Sequence, residues 1–182
     1  MKNNIAYKTS LMAILCALAL ALGFLESLLP PIPLLPPGAK PGFSNIITMF
    51  AAGSLGFSAA GTIALVKGCF AFVTRGLTAG IMSISGGLLS AVAMYLLMRY
   101  AKKILGTVGI SVISALCHNL GQLVAAIFIT GTAEIVYYAP ALAVFGVITG
   151  AVTGVVLRAV MPALEKIKKH ILNPKSRKEE DD

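Results

Sequence analysis

The hydrophobic and polar positions of this chain fall into long blocks. From Leu11 to Leu29 the run is apolar apart from Gly23, Glu26 and Ser27. Such a run approaches the ~20 residues, at about 1.5 Å each, that cross the hydrocarbon core of a bilayer as a helix. A second apolar stretch covers 43–73 and is interrupted by Gly53, Gly56-Phe-Ser58, Gly61 and Lys67. Further runs cover 79–98, 108–129 and 135–157. The pattern predicts an all-α, polytopic membrane protein.

Charge decides whether 43–73 is one span or two. Lys2 and Lys8 precede the first run, and Arg99, Lys102 and Lys103 follow the 79–98 run. Arg158, Lys166, Lys168, Lys169, Lys175, Arg177 and Lys178 follow the last. Basic residues close to spans stay on the cytoplasmic side. With both termini and the 99–103 loop inside, the number of spans is even and four precede that loop. Dividing 43–73 near Gly56-Phe-Ser58 meets this condition, and one long helix violates it. Six transmembrane helices are therefore expected, at about 11–29, 43–55, 59–75, 79–98, 108–129 and 135–157, with the N- and C-termini cytoplasmic. They form one membrane domain over 1–172, followed by a charged, disordered tail over 173–182. The second span would be only about 20 Å long, so it must stand upright or be supported by its neighbours. The first run outlasts a signal-peptide core and leads to no clear cleavage site, so it is read as a retained helix.

Composition agrees. Of 182 residues 12% are charged, against about a quarter in soluble domains, and the mean hydropathy is +0.88. The net charge of +8 is scattered between apolar runs and gathered near the C-terminus, a pattern of membrane topology and not of a nucleic-acid surface. Cys16, Cys69 and Cys117 each lie inside an apolar run with no paired spacing, which makes them packing residues. No phosphate-binding loop, dinucleotide fingerprint or HExxH is present. The only aspartates are Asp181 and Asp182. No enzyme, metal site or cofactor is expected.

The exception to apolarity is in the fifth span. Ser111, Ser114, His118 and Gln122 follow 3-4-4 spacing and share one helix face, with Asn119 at its edge. Such groups are costly in hydrocarbon unless they meet partners or line a cavity. With the N-terminus inside, Glu26 falls at the outer end of the first span and Asn45 at the outer start of the second. Lys67 is near the middle of the third and Arg75 at its outer end. Tyr137 sits with Glu134 and Tyr138 at the outer entry to the sixth. Polar groups thus gather in the outer half and predict an outward-opening pocket for a small polar or anionic molecule. Lys67 and Arg75 would supply charge, Asn119 and Gln122 hydrogen bonds, and Tyr137 or the proline-rich 30–42 loop a cover. A purely structural reading stands beside it: Glu26 pairs with Lys67 or Arg75, while His118, Asn119 and Gln122 bond across helices. Two small-residue rows, Ala13/Ala17/Ala21 and Gly146/Gly150/Gly154, allow close helix approach.

The runs Gly42-Phe-Ser-Asn-Ile-Ile-Thr48, Ser85-Gly-Gly-Leu-Leu-Ser90, His118-Asn-Leu-Gly-Gln-Leu-Val-Ala125 and Tyr137-Tyr-Ala-Pro140 resemble the family called heptaprenyl diphosphate synthase component I, also known as the Gx transporter family. The family is similar in size and six-span layout to the substrate-binding S components of energy-coupling factor (ECF) vitamin transporters. That resemblance implies a role for Ala13, Ala17 and Ala21, because in S components an alanine row on the first helix docks the transmembrane coupling subunit. It also implies ATPase partners, a location in the cell membrane, and capture of a small molecule from outside. The synthase name implies a different role, as a membrane partner of a prenyl synthase. Chain-elongating synthases hold magnesium with aspartate-rich motifs, which this chain lacks, so that role would be non-catalytic. A quinone- or flavin-linked membrane redox accessory is the third implied class.

Overall fold

A computed structural model describes residues 2–28 and 42–172. Among them lie six α-helices and one 3₁₀ helix, with no strand. The helices are α1 Lys2–Ser27, α2 Asn45–Ser54, α3 Phe57–Arg75, α4 Leu77–Tyr100, α5 Lys102–Thr130 and α6 Ala139–Leu172, with the 3₁₀ helix Ala133–Tyr138 before α6. Five helical segments are long and apolar enough to cross a membrane. The chain is a multi-pass, all-helical membrane protein. The proline-rich segment read as a cover, apart from Gly42, and the 173–182 tail lie outside the described residues.

The break expected near Gly56-Phe-Ser58 falls between α2 and α3, where Gly56 has φ +98°, a value that favours glycine. α2 has ten residues, about 15 Å, too short to cross the hydrocarbon alone. Its first eight residues, 45–52, are all buried, packed among α1, α3, α4 and α6. A short helix enclosed by protein does not have to match the lipid thickness. α2 also centres the largest apolar cluster, where Met49 and Phe50 meet Leu11, Leu15, Ile63, Met94 and Leu157.

Three helices run further than hydropathy marks. α1 starts at Lys2, α5 starts at Lys102 with a kink at Gly106, and α6 continues to Leu172 through Pro162. α6 is 34 residues long, about 51 Å, and so exceeds a ~30 Å hydrocarbon core by several turns. Leu164, beyond the expected end, is still buried, and Ser54 Oγ donates to Glu165 Oε1 across 2.6 Å.

Glycines set the closest helix contacts. A Cβ on Gly121 would lie 2.8 Å from Gly86 Cα, and one on Gly150 would lie 2.6 Å from Val112 Cα. The Gly146/Gly150/Gly154 row is thus the α5-facing stripe of α6, and Ser111 and Thr153 hydroxyls bond across the same interface at 2.8 Å.

Candidate functional site

A cleft opens between α1, the turn before α2, α3, α4 and α5. Each helix contributes a periodic set. α1 offers Ala19, Leu20, Gly23, Glu26 and Ser27, and α3 offers Lys67, Phe70, Thr74 and Arg75, both spaced as one helix face. α4 adds Ala79 and Ser83, α5 adds His118 and Gln122, and the turn adds Gly42 and Ser44.

The turn organises the charged end. Glu26 is buried, and its Oε1 accepts from Ser44 N–H at 3.0 Å, so a carboxylate faces the N-terminus of α2, where the helix dipole favours it. Lys67 Nζ donates to Asn45 Oδ1 at 2.8 Å. Glu26 lies within electrostatic reach of both Lys67 and Arg75. One carboxylate against two cations leaves an excess of one positive charge. Gly42 brings its backbone over this group with φ +83°, and a Cβ there would lie 2.9 Å from Asn45 Nδ2 and 3.8 Å from His118 Cδ2.

The His118–Gln122 part of the polar stripe faces the cleft and is buried. The Ser111 end packs on Thr153 of α6 instead. Of the eight expected binding residues, Glu26, Lys67, Arg75, His118 and Gln122 line the cleft, and Asn45 stands behind Lys67. Asn119 is not brought to it. Its Nδ2 donates to Leu142 O at 2.8 Å, and its side chain lines a separate apolar groove with Leu116, Leu120, Leu123, Ala139 and Ala143. Tyr137, on the 3₁₀ helix, is 87% exposed and is not among the residues lining the cleft.

Ser44, Thr74 and Ser83 were not anticipated as lining residues. Ser83 was legible in principle, because Ser83, Gly86, Gly87 and Ser90 share 3- and 4-residue spacing on α4. Among the described residues no group of three or more His, Cys, Asp or Glu side chains is placed to hold a metal ion.

The family model for heptaprenyl diphosphate synthase component I matches residues 15–160. The chain belongs to this family. No curated protein and no solved structure matches it. The matched region contains every residue that lines the cleft. The family description is that of one component of a synthase, in keeping with a chain that is not itself an enzyme.

Proposed function

We propose that this protein is the substrate-binding membrane subunit of an ECF-type transporter, capturing a small polar or anionic molecule from outside the cell. The observation that carries this reading is the cleft itself: charged and hydroxyl-bearing side chains gathered around one opening inside an otherwise apolar bundle. Burying Glu26, His118 and Gln122 in such a bundle costs stability, and a ligand site accounts for their presence there. Six passes with cytoplasmic termini turn the cleft outward, and the enclosure of α2 is what lets a ten-residue helix count as a pass. Glu26, Asn45, Lys67, Arg75, His118 and Gln122 form the site. Asn119 and Tyr137 lie outside the cleft.

Ala13, Ala17 and Ala21 are exposed on α1, opposite the buried Leu11, Leu15 and Ala19. This smooth stripe supports docking of a transmembrane coupling subunit, which would bring the ATPases that the chain itself lacks. The family description favours a second reading, a non-catalytic membrane partner of a heptaprenyl diphosphate synthase. Native mass spectrometry of the gently purified protein separates the two. Co-purifying ATPases and a small molecule in the 1:1 range support transport, whereas a soluble prenyltransferase without them overturns it.

A further inference from the structure

Gln122 is 4% exposed, lines the cleft, and its Oε1 has no hydrogen-bond partner among the described residues. A buried acceptor left unpaired costs about 1–3 kcal/mol, and an orphan of this kind marks a place where a partner is missing. Two of the polar side chains nearby are already committed, while His118 Nδ1, one turn away on the same face, is also without a partner among the described residues. Ser85 Oγ donates to Gly121 O at 3.0 Å, and Asn119 Nδ2 to Leu142 O. Gly86 makes the room, since a Cβ there would lie 2.9 Å from Gln122 Cγ and 2.7 Å from His118 O. The side chain is therefore seated against α4 while its terminal amide torsion stays a broad two-fold rotor. Oε1 is enclosed in this rotamer, and rotation about that torsion is what would present it to the cleft.

The α3 side of the cleft offers donors. Lys67 gives one N–H to Asn45 and keeps two. Arg75 brings a guanidinium about 12 Å further along α3. The hydroxyls of Ser27 and Thr74 donate to carbonyls of their own helices, Phe24 O and Phe70 O. The cleft thus pairs cationic donors on α3 with an acceptor on α5.

We propose that the ligand is a small organic anion, carboxylate or phosphate, that carries an N–H or O–H donor away from its charge, and that Gln122 Oε1 receives it. This rests on the reading of the cleft as the capture site.

The test uses the full chain in lipid nanodiscs, incubated with the small-molecule extract of bacterial cells and rapidly desalted. Retained molecules are identified by accurate mass, which separates carboxylates from phosphates, and their exchangeable hydrogens are counted by the mass shift in D₂O. The expected result is a retained anion with at least one exchangeable hydrogen beyond its acid group. Gln122→Met should lower its retention at least tenfold, and Gln122→Asn, which withdraws the acceptor by one methylene, should lower it as well. Thermal unfolding of each variant identifies any that fail to fold. A retained anion without such a hydrogen, or undiminished retention in whichever variant folds, overturns this inference and leaves anion capture standing. Retention of nothing, or of cations alone, overturns both.

Discussion

Lys67 Nζ and Asn45 Oδ1 lie 2.8 Å apart, joining the middle of α3 to the first residue of α2. Asn45 is buried and Lys67 half-buried, so a charged donor and a neutral acceptor meet where little water competes. The same short turn supplies the amide that Glu26 holds. The charged end of the cleft is therefore built by the 42–44 turn ahead of α2 as much as by the helices themselves.

Removing the acceptor should show this directly. Asn45→Leu leaves the ammonium without its buried partner, and a hydrogen bond to a charged group contributes about 1.5–3 kcal/mol. The expected outcome is a loss of that size in unfolding free energy, measured by denaturant unfolding in detergent. Lys67→Met alone should also destabilise, and the double variant should lose less than the sum of the two. Fully additive losses would mean that the pair is not coupled.

The α4–α5 contact permits no side chain at Gly121. Gly121→Ala would set a Cβ 2.8 Å from both Gly86 Cα and Ser85 O, which are backbone atoms that cannot rotate away. Overpacking of this kind costs about 1–3 kcal/mol. Gly61→Ala is the control, because a Cβ there meets nothing within 4 Å. Its helix propensity should make it neutral or up to about 1 kcal/mol stabilising. Thermal unfolding of both proteins in one detergent decides it, and equal midpoints would contradict the tight crossing.

Arg75 and Asn119 should separate binding from folding. Arg75 is exposed and lines the cleft, so Arg75→Ala is expected to abolish anion retention in nanodiscs while leaving the unfolding midpoint within a degree or two. Asn119 is buried and tied to Leu142 O. Asn119→Leu should lower stability by about 1 kcal/mol and leave retention within about twofold. The reverse assignment of effects would move Asn119 back into the site.

Ala17 is exposed on α1, so Ala17→Trp adds bulk without entering the core. Its unfolding midpoint should match the parent. Co-purification of a coupling subunit and ATPases should fall to background, and undisturbed assembly would remove the alanine stripe from that role.

The helical class and the break at Gly56 are legible in the sequence, because both follow from composition and spacing. Which neighbour Asn119 faces is not legible there, for a geometric reason. His118 and Asn119 are adjacent, so their side chains leave α5 about 100° apart, and α5 is packed between α4 and α6. A polar stripe that broad touches two neighbours, and only the packing says which residue faces which. Tyr137 is near the outer end of α6 in sequence, but a 3₁₀ turn with no buried residue leaves it 87% exposed. The lengths of α1, α5 and α6 were underread because hydropathy records where lipid ends, whereas backbone hydrogen bonding continues through lysine and glutamate as readily as through leucine.

α2 is fastened at both ends. At its start the 44–45 backbone and side chains are bonded to Glu26 and Lys67, and at its finish Ser54 is bonded to Glu165 on the overhanging part of α6. Its sides are enclosed by α1, α3, α4 and α6. A ten-residue rod held in this way cannot slide along its axis without breaking a hydrogen bond at one tip or the other. Whatever shifts Ser44 inside the cleft is therefore felt about 15 Å away, where α6 leaves the apolar core.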